Sequence, residues 1–235
     1  MEDLYQQYAR IYDIIYYKEP LYRKEVSYIE SLNGKKGMDI LDLCGGTGSH
    51  ANLLIRDGHH VTIVDRSPFM LEVAKKKNPD IRTVQSDIFE FDLCDDYDMI
   101  LCMYGAIHYT EDLNRIRKLI KALRLHLKPG GKVLFDLRHS ENLPENNGLE
   151  INNGWWNRKF WKRKKGVRDS DIYVVTAFNR EEHFLDVHNL FHCDPFLYQK
   201  MFREAGFEKV NLYDGYTQVP FIPSNGGNIV VLVAS

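Results

Sequence analysis

The chain has 235 residues, of which 44% are hydrophobic and 27% charged, with a net charge of −2 at pH 7. This composition predicts an ordinary soluble protein with one sizeable core, organised as one domain with an insertion. The near-neutral charge gives no overall attraction to nucleic acid or to an anionic membrane. Any electrostatic recognition therefore requires a local patch.

Cysteine spacing and the N-terminal segment bear on the cellular compartment. Cys44, Cys94, Cys102 and Cys193 are far apart and form no C-x-x-C pair, which predicts reduced thiols. Residues 1–17 are too polar and too acidic for a signal peptide, and no apolar run approaches the roughly 18 residues of a membrane span. We expect a cytoplasmic protein that does not contact the membrane.

Strands and helices alternate from residue 38 to residue 138. Strands are predicted at 38–44, 60–65, 81–87, 97–104 and 131–138. Helices are predicted at 49–56, from the N-cap pair Ser67-Pro68 to residue 77, and at 112–127. Such alternation predicts a parallel sheet that is covered by helices on both faces through right-handed crossovers.

The pattern changes after the fifth strand. Residues 173–192 alternate in a way that predicts antiparallel strands, and a helix from Phe196 to Ala205 precedes strands at 207–213 and 228–235. We expect an α/β fold with a seven-stranded, mostly parallel sheet. Its parts are an N-terminal helical lid at 1–34, a core at 35–138, a β-rich insertion at 139–195, and the last helix and strands at 196–235. The insertion should lie over the carboxyl ends of the strands, where open parallel sheets bind ligands.

Residues 40–51, ILDLCGGTGSHA, predict a buried strand, a glycine-rich turn and the start of a helix. The run from Gly46 to Ala51 fits the G-x-G-x-x-G/A dinucleotide fingerprint, so the glycines alone do not identify the ligand. Asp42 argues against a dinucleotide, because a carboxylate beside the turn would repel a pyrophosphate. It favours a cationic ligand instead, such as the sulfonium and ammonium groups of S-adenosylmethionine.

With two more acidic positions, the chain resembles the class I S-adenosylmethionine-dependent methyltransferases. Their first motif matches Asp42, Gly46 and Gly48 and departs at Cys44, where the family has glycine or another small residue. Asp65 corresponds to the carboxylate that holds the ribose hydroxyls, and Asp87 to the acid that binds the adenine amino group. The resemblance implies the Rossmann-like fold of this class and S-adenosylmethionine as the cofactor. The cofactor residues that it implies are Tyr12, Asp42, Cys44, Gly45, Gly46, Gly48, Asp65, Arg66, Ser67, Asp87, Ile88, Met103 and Tyr104.

The ends of the chain bear on the acceptor. The segment YARIYDIIYY places Tyr8, Tyr12 and Tyr16 on one helical face, which suits either core packing or an aromatic cover over a cationic cofactor. With residues 183–192, HFLDVHNLFH, this opening is similar to small-molecule N-methyltransferases. Within that group, the segment looks particularly like the enzymes that dimethylate the amine of nucleotide-linked amino sugars. It resembles the glycine and sarcosine enzymes more distantly. The resemblance implies a small amine acceptor, with Tyr12 as a contact of the cofactor or the acceptor and His188 as a residue of the pocket.

Four side chains are candidates to orient the acceptor or to receive its proton. They are His108 and Tyr109 just past the fourth strand, His139 just past the fifth, and His188. No general base is assigned. His188 and His192, with Cys193 and Asp194, superficially resemble metal ligands, but strand spacing and the lack of a second cluster predict no metal.

Residues 155–169, WWNRKFWKRKKGVRD, have seven basic side chains between Arg158 and Arg168 and all three tryptophans of the chain. Such a segment suits the phosphates and bases of a nucleotide sugar or of RNA, or it is a solvated hairpin with its tryptophans packed on the sheet rim. The fourth strand lacks the N/D-P-P-Y/F turn with which many nucleic-acid methyltransferases hold a flipped base. This favours a small acceptor.

Three alternative functions stay open. The first is an RNA or protein methyltransferase that uses the basic segment 158–168. The second is a non-catalytic S-adenosylmethionine-binding protein, and the third is a nicotinamide oxidoreductase, against which Asp42 argues. Residues 228–235 predict an edge strand that allows a homodimer without requiring one, so monomer and homodimer both fit.

Overall fold

The computed structural model describes the backbone of residues 9–138, 151–152, 156–165, 168–178, 183–225, 227 and 229–235. The side chains of Ile11, Ile15, Asn225 and residues 151–189 lie outside this description. In the described part of the chain, the helices are α1 (Ala9–Tyr16), α2 (Glu19–Asn33), α3 (Ser49–Arg56), α4 (Pro68–Lys77), α5 (Leu113–Leu125) and α6 (Pro195–Glu204). Short 3₁₀ turns cover Ala106–Tyr109 and Pro223–Asn225.

The strands form two sheets. Those of the main sheet are β1 (Asp39–Leu43), β2 (His60–Asp65), β3 (Arg82–Gln85), β4 (Tyr97–Cys102), β5 (Leu127–Arg138), β10 (Val210–Asp214) and β11 (Ile229–Ala234). Those of the insertion are β6 (Ile151–Asn152), β7 (Trp156–Lys165), β8 (Arg168–Phe178) and β9 (His183–His192).

The main sheet has seven strands in the order β10-β11-β5-β4-β1-β2-β3. Strands β1 to β5 pair in parallel, and β11 runs antiparallel to both β5 and β10. The predicted α/β fold with a mostly parallel seven-stranded sheet is therefore confirmed. The strand order reverses between β1 and β4, which opens a crevice at their carboxyl ends.

The insertion forms a second, four-stranded sheet in the order β6-β7-β8-β9. Its strands are antiparallel, as predicted, and the basic segment falls mainly on β7, an inner strand between β6 and β8. Trp155 lies outside the described residues, and only the backbone is described at Trp156 and Trp161. The role of the basic segment stays a prediction.

Two predicted strand boundaries differ from the structure for local reasons. The strand predicted at 97–104 ends at Cys102, because Tyr104 adopts the left-handed conformation with φ of 58°. The strand predicted at 131–138 begins earlier, at Leu127, and the register of β5 against β4 shifts between Tyr97 and Met99. Extra residues in one strand form a bulge rather than a break.

The sheet alternates its side chains between two apolar layers. Leu41 and Leu43 pack into the layer that includes α5 and α6, whereas Ile40 packs into the layer that includes α2, α3 and α4. Because successive strand residues point to opposite faces, Asp42 shares the face of Ile40. The carboxyl end of β1 therefore directs the Asp42 carboxylate toward α2 and α3.

Neither a membrane-spanning helix nor a disulfide is found in the described residues. No helix there has the length and apolar character to cross a membrane. No disulfide joins the four cysteines, all of which lie in the described part of the chain.

A polar cluster joins three elements at the opposite, amino-terminal edge of the sheet. Asp98, at the start of β4, accepts hydrogen bonds from Lys35 Nζ at 2.7 Å, the Asp39 N–H at 2.9 Å and Lys128 Nζ at 3.0 Å. Burial opposes ionisation of Asp98, but the three donors outweigh it and lower the pKa to about 2. The cluster therefore stabilises the order β1-β4-β5 only while Asp98 is charged.

We predict that Asp98→Asn lowers the free energy of unfolding by about 2 kcal/mol at pH 7. The folded pKa of about 2 lies below the unfolded value of about 3.9, so this contribution is present above pH 4 and is lost as pH falls toward 2. Urea unfolding from pH 7 to pH 3 measures the difference. Asp57→Asn is the control, because the ion pair of Asp57 with Arg23 is partly exposed and contributes less than about 1 kcal/mol. If Asp98→Asn lowered the free energy of unfolding equally at pH 7 and at pH 3, the prediction would be contradicted.

Candidate functional site

A cavity of about 200 Å³ lies at the carboxyl ends of the central strands. Its wall comes from the turn after β1, the ends of β2 and β4, the segment after β3, and parts of α1, α2 and α5. The predicted cofactor residues that line it are Tyr12, Asp42, Cys44, Gly45, Gly46, Asp65, Arg66, Asp87, Ile88, Met103 and Tyr104. Their location agrees with the predicted site, and their roles stay predictions.

The glycine turn places its backbone against the cavity. Cys44 and Gly46 have φ of 56° and 54°, in the left-handed region that favours glycine. Gly48 was predicted to contact the cofactor, but it does not line the cavity. A Cβ at Gly48 would lie 3.1 Å from Ile63 Cδ1 and 3.2 Å from Ala74 Cβ. Gly48 therefore lets the turn pack closely against β2 and α4.

Asp42 is the central charged group of the cavity. Its side chain is buried, and Oδ2 has no hydrogen-bond partner among the described residues. Burial raises the pKa of Asp42 to about 6, with His50 lowering it and Asp65 raising it further. A buried, unpaired carboxylate oxygen is costly, and a positive charge in the adjoining cavity would lower that cost.

Gly45 gives Asp42 its space. A Cβ at Gly45 would lie 2.7 Å from Asp42 Oδ2 and 3.0 Å from Ile63 Cγ2, so a side chain at this position cannot fit without displacing the carboxylate. The absence of a side chain also keeps the backbone of the turn open to the cavity. Gly45 and Asp42 together form a cradle with a negatively charged floor.

Asp65, at the end of β2, is fixed by backbone donors. Its Oδ2 accepts from the Gly46 N–H at 3.0 Å, and its Oδ1 accepts from the Ser67 N–H at 2.9 Å. An ionised carboxylate has about four acceptor positions, so a single carboxylate can accept from backbone groups and from hydroxyls together. Ser67 itself is fully buried and its hydroxyl accepts from the Met70 N–H, capping α4. The predicted cap is thus observed, and Ser67 does not line the cavity.

The segment after β3 forms another part of the wall. Asp87 Oδ1 accepts from the Phe89 N–H at 2.9 Å, and Asp87 Oδ2 lies 3.3 Å from Arg115 Nη2. The Arg115 guanidinium also lies 4.4 Å from the centre of the Phe89 ring. Sequence reasoning missed Arg115, because a basic residue in the first turn of a polar helix gives no distinguishing pattern.

Asp136, also missed, holds the turn after β4. It is buried near the carboxyl end of β5 and accepts from the N–H groups of Tyr104 at 2.7 Å and Gly105 at 2.6 Å, and from the Tyr216 hydroxyl at 2.8 Å. Burial raises its pKa, against the effect of these hydrogen bonds. Because Tyr104 is in the left-handed conformation, these bonds compensate local strain. A carboxylate within the apolar run VLFDL was the available signal.

An aromatic corner lies beside Asp42. His50 Nε2 lies 2.7 Å from Glu25 Oε2, and the Tyr104 hydroxyl donates to the same oxygen at 3.3 Å. The Tyr22 ring is 4.5 Å from the His50 ring and 5.5 Å from the Tyr104 ring, measured between ring centres. Tyr22, His50 and Tyr104 line the cavity. Sequence reasoning missed His50 and Glu25, although a glutamate on the apolar face of α2 was a usable signal.

The structure separates the four acceptor-site candidates. Tyr109 lines the cavity and is 41% exposed, so it can meet an incoming acceptor. His139 lies outside the described residues, and for His188 only the backbone on β9, opposite Tyr173, is described. Both stay predictions, and Tyr8 also lies outside the described residues.

His108 does not belong to the cavity. It is fully buried, its Nδ1 donates to the Phe191 carbonyl at 3.0 Å, and its Nε2 accepts from the Arg138 N–H at 2.9 Å. Burial lowers its pKa, with a contribution from His192. This position does not support the prediction that His108 orients or deprotonates an acceptor. Its imidazole ties the turn after β4 to β5 and β9.

The known proteins compared below are all described as methyltransferases. Residues 40–131 match the family described as a methyltransferase domain. A putative methyltransferase of Bacillus subtilis, YqeM, is 32% identical over 146 residues, which cover 60% of this chain and 58% of YqeM. The dTDP-3-amino-3,4,6-trideoxy-alpha-D-glucopyranose N,N-dimethyltransferase of Streptomyces venezuelae is 26% identical over 133 residues, covering 55% and 56% of the two chains. The chain thus spans less than two thirds of the length of these curated relatives.

The fold also has close counterparts among solved structures. An S-adenosylmethionine-dependent methyltransferase from Clostridium acetobutylicum superimposes with a TM-score of 0.84 at 21% identity, covering 99% of both chains. At this identity the match shows a common fold. Together with the domain match, it confirms the resemblance drawn from the motifs around Asp42, Asp65 and Asp87.

We predict that Asp42→Asn is more stable than the wild type above pH 6. The folded pKa of about 6 exceeds the unfolded value of about 3.9, so ionisation of Asp42 opposes folding, and this cost begins near pH 4, grows to about pH 6 and is nearly constant above it. At pH 8, removal of the charge should raise the free energy of unfolding by up to about 3 kcal/mol.

Urea unfolding between pH 5 and pH 8 measures this gain, which should grow with pH. Asp95→Asn is the control, because Asp95 is exposed, pairs with Arg82 at 2.6 Å, and should contribute less than about 1 kcal/mol. A variant at Asp42 that is less stable than the wild type at pH 8 would show that the carboxylate is paired after all.

Proposed function

We propose that this chain, whose residues 40–131 match a methyltransferase domain, transfers the methyl group of S-adenosylmethionine to the amine of a small molecule. The observation that carries the proposal is the unpaired oxygen of buried Asp42 above Gly45. A dinucleotide would bring a diphosphate to this carboxylate, whereas S-adenosylmethionine brings a sulfonium and an ammonium. Electrostatics favours the second ligand.

The lining residues fit the separate parts of this cofactor. Asp42 would hold the positively charged methionine end, and the rings of Tyr22 and Tyr104 would offer cation-π contacts beside it. Asp65, already oriented by two backbone donors, would accept the ribose hydroxyls. Asp87 and Ile88 would lie against the adenine ring. When bound, S-adenosylmethionine supplies a methyl group that is already activated by the sulfonium.

The remaining task of the protein is alignment and exclusion of water. An amine must present its lone pair in line with the carbon–sulfur bond, and fixed geometry supplies much of the rate enhancement in such a displacement. Tyr12 and Tyr109 line the cavity from α1 and from the turn after β4, so they are placed to close it around an acceptor. We propose Tyr109 as an acceptor-orienting group and assign no general base.

The acceptor that we favour is a nucleotide-linked amino sugar. Support comes from relatives whose names state that chemistry: the Streptomyces venezuelae enzyme above and a dTDP-4-amino-2,3,4,6-tetradeoxy-D-glucose N,N-dimethyltransferase of Saccharopolyspora spinosa, 27% identical over 101 residues. The seven basic residues of segment 158–168 suit the diphosphate of such a substrate. The names of these relatives also support two successive methyl transfers.

The test is a panel of amine, carboxylate, catechol, nucleotide-sugar and RNA acceptors with methyl-labelled S-adenosylmethionine. We expect label on the amine of a nucleotide-linked amino sugar. Gly45→Ala should reduce transfer at least about tenfold, because its Cβ displaces Asp42. The control is Gly58→Ala, where the added Cβ meets nothing within 4 Å and the cost is backbone strain at φ of 93°.

Each other outcome identifies an alternative. Label on RNA, with binding that weakens steeply as salt rises, would favour the nucleic-acid function of the basic segment. Label on a catechol or carboxylate alone would contradict the amine. Tight cofactor binding with no transfer to any acceptor would indicate a non-catalytic binding protein.

A further inference from the structure

One carboxylate outside the cavity joins three elements around the glycine turn. Asp13, on α1, accepts from the Thr47 hydroxyl at 2.6 Å and from the Ser49 hydroxyl at 3.0 Å. Lys77, at the end of α4, forms an ion pair with Asp13 and donates to the Ser49 hydroxyl at 3.1 Å. Asp13 therefore fastens the N-terminal helix to the turn after β1 and to α4.

The glycine turn has a particular use for this carboxylate. The N-cap of α3 is Gly48, which has no side chain to cap the helix. Asp13 brings a negative charge to this end of α3, where the helix dipole favours it. Its bonds to Thr47 and Ser49 are charge-assisted and so stronger than bonds between neutral groups. A neutral amide at position 13 could accept from the hydroxyls but could not pair with Lys77.

The helix that carries Asp13 depends on outside contacts. α1 has eight residues, which is too short for stability on its own. It packs on α4, and Ile14 on its outer side is 74% exposed. The residue next to Asp13, Tyr12, lines the cavity. Whatever holds Asp13 in place therefore also holds Tyr12 in the cavity wall.

We propose that Asp13 is a positioning residue that keeps α1 closed over the cavity and Tyr12 in its wall. Asp13 does not line the cavity, so it acts through α1. The proposal rests on the proposed function only in that the enclosed ligand is S-adenosylmethionine or its demethylated product. Loss of the carboxylate should let α1 open more often, speed ligand release and admit water.

Hydrogen exchange measured by mass spectrometry tests the closure without any ligand. In Asp13→Ala, the amides of α1 should exchange at least about tenfold faster, since the loss of a single charged hydrogen bond already shifts an opening equilibrium by that order and Asp13 accepts two. Amides of α2 should be unchanged. Ile14→Ala is the matched control on the same helix and should leave exchange as in the wild type.

Two further variants resolve the contacts of Asp13. Asp13→Asn should give an intermediate exchange rate, because it keeps an acceptor for Thr47 and Ser49. Lys77→Met added to Asp13→Ala should speed exchange less than Lys77→Met alone does, because the ion pair with Asp13 is already lost and only the bond from Lys77 to the Ser49 hydroxyl remains to be removed. Unchanged α1 exchange in Asp13→Ala, or full additivity with Lys77→Met, would overturn the proposal.

Release of S-adenosylhomocysteine, followed by stopped-flow displacement, supplies the second readout. Asp13→Ala should release it about tenfold faster per binding site, with Asp13→Asn between it and the wild type. A variant that merely folds less well would lose binding sites and keep the wild-type release rate, which would contradict a positioning role. If wild-type protein binds no S-adenosylhomocysteine, the proposed function fails, and the exchange experiment still decides whether Asp13 holds α1 closed.

Discussion

The structure depends on one carboxylate that it buries without a full set of partners. Asp42 stands at the end of the central strand β1, where the sheet reverses its strand order, and its Oδ2 is unpaired among the described residues. Burial raises its pKa to about 6, so near neutral pH the folded protein maintains a negative charge at a cost in stability. Such a cost is typical of a site that is completed by a ligand of opposite charge.

The other carboxylates around the cavity have the opposite character, because each is tied to the backbone or to hydroxyl groups. Asp65 holds the glycine turn through the Gly46 N–H, and Asp136 holds the left-handed turn at Tyr104. Asp13 bonds the same glycine turn from outside. These groups fix the loops that surround Asp42, so its unpaired oxygen is held within a hydrogen-bonded frame. Preorganisation of this kind lets a ligand bind without reordering the site.

The sheet and the cofactor side of the cavity could be predicted from the sequence because both follow from local patterns. Strand periodicity, turn glycines and the acids at strand ends place Asp42, Asp65 and Asp87 at one edge. Contacts between distant segments leave no such pattern. The Glu25–His50 pair joins α2 to α3, and Asp136 reaches across from β5 to Tyr104. The location of His108 was not predictable for the same reason: its position after β4 suggested the cavity, but its ring turns toward β9 and β5, which only the tertiary fold determines.

The central claim is an electrostatic preference of Asp42 for a cation over a diphosphate, and calorimetry tests it most directly. Titration of the wild-type protein with S-adenosylmethionine, S-adenosylhomocysteine and NAD should give binding heat with the first two and none with NAD. Heat with NAD and none with either sulfur compound would contradict the account, because the cavity would then accept the ligand that a buried carboxylate should repel.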